Sequence, residues 1–254
     1  MFFLVLSYIG ILKKPNKILL IIQRSNGDVF LSLTLIKKLF EHYESPQIDL
    51  LVNDDTLAVA ELFPYINKII KFSYKEKKNN RVQQEKYIIT RIFKKYDLLI
   101  NLTASDRSVF YALLAAKKTI SAVEIDSKKS WWKKLLLSSY YYFDVQKHIL
   151  LNNLEALNLL EIEHIPIQSS LLISEKTISK IKIKLSQRGV ENFIIFHPSA
   201  QYSYKIYPQH LRDQLLKYLN GLGVSIVVTG GSSIIDYDIK KMIPNLPNII
   251  NLIG

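Results

Sequence analysis

Two polar loops, one near each end of the chain, constrain its fold most strongly. Each loop lies between an apolar run and a helical pattern. The first covers residues 24–28, and the second covers residues 197–200 and 205–208. In an open α/β sheet, ligands bind where the carboxyl ends of strands meet the amino ends of helices. Two such loops predict two domains that face one cleft.

Apolar runs alternate with helical patterns through the first part of the chain. The first strand is expected at residues 17–22, and Leu35, Ile36 and Leu39 follow it at helical spacing. Further strands are predicted at residues 48–52, 68–72, 97–102 and 119–123, with helices at residues 56–63, 82–96 and 107–116 between them. Runs that are apolar on both faces and separated by helices indicate a parallel sheet with right-handed crossovers.

A second, smaller unit is predicted after a helix at residues 148–160 and a linker at residues 163–170. Its strands are expected at residues 192–196, 224–229 and 248–252, and its helices at residues 208–222 and 232–242. Three strands are few, because half of a doubly wound sheet already uses three. We therefore expect domains at residues 17–165 and 166–254, the second of them incomplete.

Residues 1–16 are expected to be an N-terminal extension, in which an apolar run from Phe2 to Leu12 is followed by Lys13 and Lys14. The apolar run is too short to span a bilayer. A signal peptide places its positive charges before the apolar run, whereas here they follow it. The extension is expected to be an extra strand or an apolar tail, and a weak membrane contact is the less favoured alternative.

The chain contains no cysteine and carries a formal net charge of +12. The lack of cysteine excludes disulfides and thiolate chemistry, and it suits a reducing compartment. Residues 68–95 hold ten Lys and Arg residues against Glu76 and Glu85. A second basic stretch, residues 128–134, contains two tryptophans, and lysines beside tryptophan suit anionic lipid headgroups. These stretches favour an acidic partner, and a solvated basic face is the alternative.

Taken in order, the motifs of this chain resemble those of the bacterial heptosyltransferases, glycosyltransferase family 9. In the first unit the resemblance covers residues 21–29, 48–52 and 64–70. In the second unit it covers His197-Pro198-Ser199-Ala200, Lys205 with Tyr207-Pro208, and Val227-Val228-Thr229-Gly230-Gly231. The match extends from residue 17 to residue 254. Several segments in the right order are more specific than a lone Gly-Asp pair.

The resemblance implies a GT-B fold, in which two Rossmann-like domains face one cleft. It implies transfer of a heptose or another sugar from a nucleotide-activated donor to a lipopolysaccharide core acceptor. Asp28 is implied as the general base, because a carboxylate beside the acceptor hydroxyl can take its proton. The other loop residues are expected to support this base or the acceptor: Arg24, Ser25, Asn26 and Gly27. The alternative is that Asp28 caps the helix that follows.

The resemblance places the donor in the second unit. Lys205 is implied as the ligand of the donor diphosphate, where a fixed ammonium stabilises the leaving group without a metal. Ser199 would add a hydrogen bond, and Gly230 with Gly231 would let the backbone approach the nucleotide. ADP-heptose is carried over as the donor from the family alone. No cofactor and no metal are expected, and His197 is expected to be structural.

Two departures from the family pattern bear on activity. The first loop is one residue shorter than the commoner form of the family, which affects the geometry around Asp28. The chain also reaches Gly254 without the Asp-Ser/Thr-Gly-x-x-His loop with which family members hold the donor diphosphate. We therefore expect a C-terminally truncated chain in which transfer is weak or absent.

Three functions are open at this point, and a glycosyltransferase is favoured. A truncated, non-catalytic remnant that binds an acceptor or another chain is the first alternative. A basic nucleic-acid-binding module is the second, although the chain lacks a recognised motif for it. The favoured function implies a nucleotide sugar and an anionic lipid-linked saccharide as partners, and nucleic acid is not expected. It also implies a cytoplasmic location, peripheral to the inner membrane.

Overall fold

The computed structural model describes residues 14–163, 171–200 and 202–254. Its contacts divide the chain into two compact units, Met1–Leu172 and Ile173–Gly254. Most of the N-terminal extension lies outside the described residues, and so does the predicted boundary between residues 165 and 166. Among the described residues, no helix combines the length and the apolar character that crossing a membrane requires.

The described residues of the first unit form a six-stranded parallel sheet with the order β3-β2-β1-β4-β5-β6. Its strands are β1 (Lys17–Ile22), β2 (Gln47–Asn53), β3 (Ile66–Phe72), β4 (Tyr96–Asn101), β5 (Ala116–Val123) and β6 (Ser139–Tyr142). Strand β1 pairs with β2 on one side and with β4 on the other. The strand order therefore reverses at β1, and such a reversal opens a crevice at the carboxyl ends of the strands.

Helices connect these strands and cover both faces of the sheet. They are α1 (Asn26–Phe30), α2 (Leu33–His42), α3 (Leu57–Ala60), α4 (Tyr74–Asn79), α5 (Arg81–Ile92), α6 (Asp106–Ala115), α7 (Ser127–Leu136) and α8 (Ile149–Asn158). Helix α5 follows the carboxyl end of β3 and precedes the amino end of β4, so it runs back along the sheet. Its 12 residues span about 18 Å.

The core of the first unit lies on both faces of β1. Ile18, Leu20 and Ile22 belong to one buried cluster, whereas Leu19 and Ile21 belong to another on the opposite face. Successive side chains of a strand point to opposite faces, so a strand covered on both sides reads as a continuous apolar run. Each such buried Leu or Ile contributes about 1.5 to 3 kcal/mol.

In the second unit, the described residues form a three-stranded parallel sheet with the order β7-β8-β9. The strands are β7 (Phe193–Phe196), β8 (Ser225–Val228) and β9 (Ile249–Asn251), and the helices are α9 (Glu175–Ser186), α10 (Gln209–Gly221) and α11 (Ile234–Met242). Leu216 of α10 and Ile239 of α11 pack with Ile226 and Val228 in its main core. Both helices therefore cover the same face of this sheet.

The predicted α/β class with two parallel sheets is confirmed, and several elements differ from the prediction. Helix α5 ends at Ile92, before the predicted end at residue 96, because Lys94 adopts a positive φ of 51°. Helix α7 and strand β6 were not predicted, and neither was helix α9. In helix α9 the side chains of Ile178, Ile181 and Ile183 are exposed. The apolar residues of this helix therefore do not form one buried face, which is the pattern by which an amphipathic helix is recognised in a sequence.

Candidate functional site

The loop after β1 holds Asp28 in the first turn of α1. Two side chains of the same loop fix its carboxylate: Arg24 donates from Nε to Oδ2 at 3.0 Å, and Ser25 donates from Oγ to Oδ2 at 3.1 Å. The side chain of Asp28 is 23% exposed, so solvent reaches it. The carboxylate is therefore oriented by two donors and still accessible, as a proton acceptor must be.

The capping alternative for Asp28 does not fit this geometry. Ser25 is the residue at the N-cap of α1, and Asp28 lies three residues further along. The donors to the Asp28 carboxylate are side chains rather than the backbone amides that a capping residue satisfies. Its negative charge in the first turn is still favoured by the helix dipole.

Neighbouring strands brace the Asp28 loop. The guanidinium of Arg24 lies over the ring of Phe143, 4.4 Å from the ring centroid. Asn53, the last residue of β2, donates from Nδ2 to the carbonyl oxygen of Arg24 at 3.4 Å. The amide of Gln23 donates to Oγ1 of Thr103 at 2.9 Å. The loop is thus held by residues at or beyond the ends of three other strands.

The predicted basic stretch at residues 128–134 is not a uniformly exposed surface. Lys133 is fully buried, and its Nζ contacts Asp106 Oδ1 at 2.7 Å, Glu124 Oε2 at 2.7 Å and the carbonyl oxygen of Ala104 at 2.9 Å. A buried ammonium needs such partners to offset its lost hydration. Trp131 is 62% exposed. Lys133 is therefore a structural cation, and the role of this stretch in binding an anionic lipid stays a prediction.

Residues of the basic block at 68–95 line several cavities of the first unit. One of them, the carboxyl-edge cavity, has a volume of about 530 Å³. Its lining residues are Lys77, Arg81, Glu85, Ile89, Asp106, Arg107, Phe110 and Trp132. Arg107 stacks on Phe72 at 3.8 Å from the ring centroid and donates from Nη2 to the Tyr74 hydroxyl at 3.2 Å. This cavity lies where α5 and α6 begin, after the carboxyl ends of β3 and β4.

A buried tyrosine supports one wall of the carboxyl-edge cavity. The hydroxyl of Tyr111 donates to Oε2 of Glu85 at 2.6 Å. Burial, together with the hydrogen bond to Glu85, raises the pKa of Tyr111 far above its ordinary value. The phenol is therefore a neutral donor that holds the Glu85 carboxylate in place.

In the second unit, His197 joins the loops that follow β7 and β8. Its Nδ1 lies 3.1 Å from Oγ1 of Thr229, and its Nε2 lies 3.4 Å from Oγ of Ser199. Which ring nitrogen donates depends on the tautomer. The imidazole thus links Ser199 to the loop that contains Gly230 and Gly231, the glycine pair.

The glycine pair leaves room for a carboxylate that the sequence did not single out, Asp236 of α11. A Cβ on Gly231 would lie 3.0 Å from Asp236 Oδ2, and a Cβ on Gly230 would lie 3.1 Å from Asp236 Oδ1. Such distances are shorter than ordinary van der Waals contact, so a side chain at either position would displace Asp236. The glycines therefore serve a packing role in the structure, whatever they do for a ligand.

Asp236 closes a capping box at the start of α11. Its Oδ2 accepts from the Ser233 amide at 3.0 Å and from the Ser233 hydroxyl at 2.6 Å. Hydrogen bonds from the hydroxyls of Ser199 and Ser233 hold the pKa of Asp236 at about 2. The Ser-x-x-Asp spacing after the glycine pair is the sequence signal that would have found this residue.

Lys205 ends a short 3₁₀ turn, Ser203–Lys205, ahead of α10. Its ammonium lies 5.5 Å from the ring centroid of Tyr202 and 5.7 Å from that of Tyr204, and the two rings are stacked. Within residues 171–200 and 202–254, no hydrogen bond or ion pair joins Lys205 to Ser199 or to the glycine pair. The donor-binding roles of all four residues stay predictions, and so does the cleft shared with Asp28.

Residues 88–254 match the family model of glycosyltransferase family 9 (heptosyltransferase). Lipopolysaccharide heptosyltransferase 3 of Escherichia coli is 24% identical over 213 residues, which cover 82% of this chain and 62% of the relative. The protein of the same name from strain K12 is 25% identical over 221 residues, which cover 83% and 62%. The chain therefore spans less than two thirds of the length of these curated relatives.

Solved structures share the fold over both units. The glycosyl transferase family 9 protein from Veillonella parvula DSM 2008 matches with a TM-score of 0.76 and 18% identity, over 93% of this chain and 69% of that chain. E. coli ADP-heptose lps heptosyltransferase II matches with a TM-score of 0.70 and 20% identity, over 94% and 72%. E. coli heptosyltransferase WaaC with ADP-2-deoxy-2-fluoro heptose matches with a TM-score of 0.71 and 14% identity, over 93% and 76%.

These structural neighbours are GT-B glycosyltransferases, so the expected GT-B-like fold class is confirmed. The family model covers all of the second unit and the part of the first unit from residue 88 onwards. It thus matches well over half of the chain. The chain belongs to glycosyltransferase family 9, the heptosyltransferase family.

Proposed function

We propose that this chain is a heptosyltransferase that acts in lipopolysaccharide synthesis. It would transfer heptose from ADP-heptose to a lipopolysaccharide core acceptor. The observation that carries the proposal is the Asp28 carboxylate, oriented by Arg24 and Ser25 at the switch point of the sheet. Family membership supports it, and so do the names of the relatives, which are lipopolysaccharide heptosyltransferases.

In this proposal Asp28 removes the proton from the acceptor hydroxyl. The hydroxyl oxygen forms a bond to the anomeric carbon of the heptose, and the bond from that carbon to the diphosphate oxygen breaks. The bonding electron pair leaves with the nucleoside diphosphate, and the proton stays on Asp28. Arg24 and Ser25 hold the carboxylate in the orientation that this proton transfer needs.

The donor would bind to the second unit. The ammonium of Lys205 would neutralise charge that develops on the leaving diphosphate, which lowers the barrier without a metal. Ser199 would add a hydrogen bond, and the tight turn at Gly230 and Gly231, packed against Asp236, would bring backbone amides near the nucleotide. ADP-heptose is the proposed donor because WaaC was solved with its fluorinated analogue.

The acceptor would bind to the first unit, at the carboxyl-edge cavity. Lys77, Arg81 and Arg107 line this cavity, and their charges suit the phosphates of an anionic, lipid-linked saccharide. A lipid-linked acceptor places the enzyme at a membrane surface. We therefore propose a cytoplasmic protein that works peripherally at the inner membrane.

Titration of the purified chain with nucleotide sugars tests this function. ADP-heptose is expected to bind more tightly than UDP-glucose in isothermal titration calorimetry, and incubation with a lipopolysaccharide core acceptor is expected to release ADP slowly, since transfer by this chain is expected to be weak. Binding of nucleotide sugar without ADP release would favour the non-catalytic remnant. If no nucleotide sugar binds while nucleic acid binds with strong salt dependence, the proposal is wrong and the nucleic-acid module is correct.

A further inference from the structure

Three cations of the basic block, Lys68, Arg91 and Lys95, line another cavity, the amino-edge cavity. Its volume is about 320 Å³. It lies at the amino ends of β1 to β4, on the face of the sheet that α5 covers. Its lining residues are Lys17, Gln47, Asp49, Asn67, Lys68, Ile69, Ile70, Arg91, Lys95 and Tyr96.

Four cations surround this cavity, and two of them are held in place by the end of α5. Arg91 lies over the ring of Tyr87 at 3.6 Å from the ring centroid, and Lys95 donates from Nζ to the carbonyl oxygen of Thr90 at 2.7 Å. The other two cations are Lys17, which begins β1, and Lys68 of β3. The cations thus converge from two strands and from the last turn of a helix.

The carboxylate of Asp49, in this cavity, accepts its hydrogen bonds from neutral donors. Among the described residues that line the cavity, Asp49 is the one acid, and it is 9% exposed. Its Oδ1 accepts from Asn67 Nδ2 at 2.8 Å, and its Oδ2 accepts from the Tyr96 hydroxyl at 2.8 Å. These bonds satisfy Asp49 without using any of the four cations. The cavity therefore has an excess of positive charge, and the polar groups of Asp49, Asn67 and Tyr96 that line it are hydrogen-bonded to one another.

We propose that the amino-edge cavity binds a phosphate-bearing ligand, at a site separate from the transfer site. Lys68, Arg91 and Lys95 would contact the phosphate oxygens, because a phosphate accepts several charge-assisted hydrogen bonds at once. The six residues of β1 separate this cavity from the Asp28 loop by about 20 Å. A ligand here does not meet the acceptor hydroxyl or the donor. The phosphate belongs either to a small metabolite or to the headgroup of an anionic lipid.

Helix α5 separates the two cavities, because one lies at its amino end and the other at its carboxyl end. Arg81 begins the helix and lines the carboxyl-edge cavity, whereas Arg91 lies in its last turn and lines the amino-edge cavity. The basic block of residues 68–95 therefore contributes cations to a cavity at each edge of the sheet. The amino-edge site is independent of the proposed function, since none of its residues lies in the loops that would carry catalysis.

Calorimetry with glycerol 3-phosphate tests the site in the full chain. The double variant Lys68→Gln/Arg91→Gln should weaken binding by about tenfold or more, because it removes two charged hydrogen-bond donors. Lys117→Gln/Lys118→Gln is the matched control, since both lysines are exposed at the start of β5 and line neither cavity. Lys205→Ala separates this site from the proposed donor site. Both control variants should bind as the unchanged chain does.

Vesicles distinguish the two sources of phosphate. Sedimentation with phosphatidylcholine vesicles, with and without phosphatidic acid, is measured for the same variants. A loss of binding to phosphatidic acid in the Lys68→Gln/Arg91→Gln variant identifies a lipid headgroup, and binding of glycerol 3-phosphate alone identifies a soluble metabolite. If neither probe binds, or if the Lys117→Gln/Lys118→Gln control loses as much binding as the double variant, the inference is wrong.

Discussion

Arg24 and Asp28 form an ion pair across one turn of chain, with Nε of the arginine 3.0 Å from Oδ2 of the aspartate. The same guanidinium lies over the ring of Phe143. The residue that orients the proposed base is therefore itself fixed by an aromatic ring from beyond β6. This arrangement makes the position of the carboxylate depend on the folded sheet and not on the loop alone.

Replacement of Asp28 by asparagine removes the proposed base and keeps the size of the side chain. In a chain that carries the diphosphate loop expected of the family, transfer from ADP-heptose to the core acceptor should fall by about 100-fold or more. The melting temperature should change little, because the amide oxygen can still accept from Arg24 and Ser25. The measurement is the rate of ADP release with purified donor and acceptor.

The exposed Asp55 offers a control of the same chemistry, outside the Asp28 loop. Asp55→Asn should leave the rate of transfer unchanged. Full activity in Asp28→Asn would remove Asp28 from the mechanism.

Lys205→Ala should weaken ADP binding by about 1 to 3 kcal/mol, the range for a hydrogen bond to a charged group. The fold should be unaffected, since Lys205 lies in an exposed turn before α10. Lys217→Ala, on the exposed side of α10, removes the same charge and should leave the dissociation constant unchanged. Equal affinities for all three chains would show that Lys205 does not contact the donor diphosphate.

The first sheet could be predicted from the sequence because its apolar runs are continuous. Strand β1 was predicted at residues 17–22 and occupies Lys17–Ile22, with both of its faces buried. The short strand β6 and the amphipathic helix α7 were missed. In α7 the lysines hide the pattern, because Lys133 points inwards to Asp106 and Glu124 while Lys128 and Lys129 stay exposed.

The candidate site was predictable where a motif lies within one loop, and less so where distant residues meet. Asp28 and its partners Arg24 and Ser25 lie within five consecutive residues, so the loop could be singled out directly. The proximity of Ser199 to Asp236 depends on the parallel pairing of β7 with β8, which no local pattern encodes. The length of α5 is what carries the basic block from one edge of the sheet to the other.

The buried ammonium of Lys133 makes the stability of the first unit sensitive to this residue. Lys133→Met should destabilise the chain by about 1 to 3 kcal/mol, less than a fully buried pair would cost, because Asp106 is exposed and Glu124 is partly exposed. Lys129→Met, at an exposed position of the same helix, should have little effect. Urea unfolding measures both, and equal stabilities would contradict the structural role of Lys133.

Because Asp236 lies close to the glycine pair, a methyl group added at Gly231 should lower the stability of the chain. Gly231→Ala should lower stability by about 1 to 2 kcal/mol, because its Cβ would meet Asp236 Oδ2 at 3.0 Å. Gly221→Ala is the matched control: nothing lies within 4 Å of its added Cβ, and alanine favours the end of α10. If Gly231→Ala is as stable as the unchanged chain, Asp236 does not pack against this turn.

Asp236 also predicts a dependence of stability on pH. Its pKa is about 2 in the folded chain, below the ordinary value of 3.8, so folding favours the ionised form. A depressed pKa contributes stability that is fully present above the unfolded value and is lost as the pH falls through the folded value. Asp236→Asn should therefore destabilise the chain at pH 7, and its deficit in the free energy of unfolding should shrink as the pH falls from about 4 towards about 2.

Asp238→Asn, at an exposed position of the same helix, should not reproduce this change. Urea unfolding of the three chains across this range measures the effect, and a deficit that stays constant with pH would show that the ionised carboxylate does not stabilise the turn.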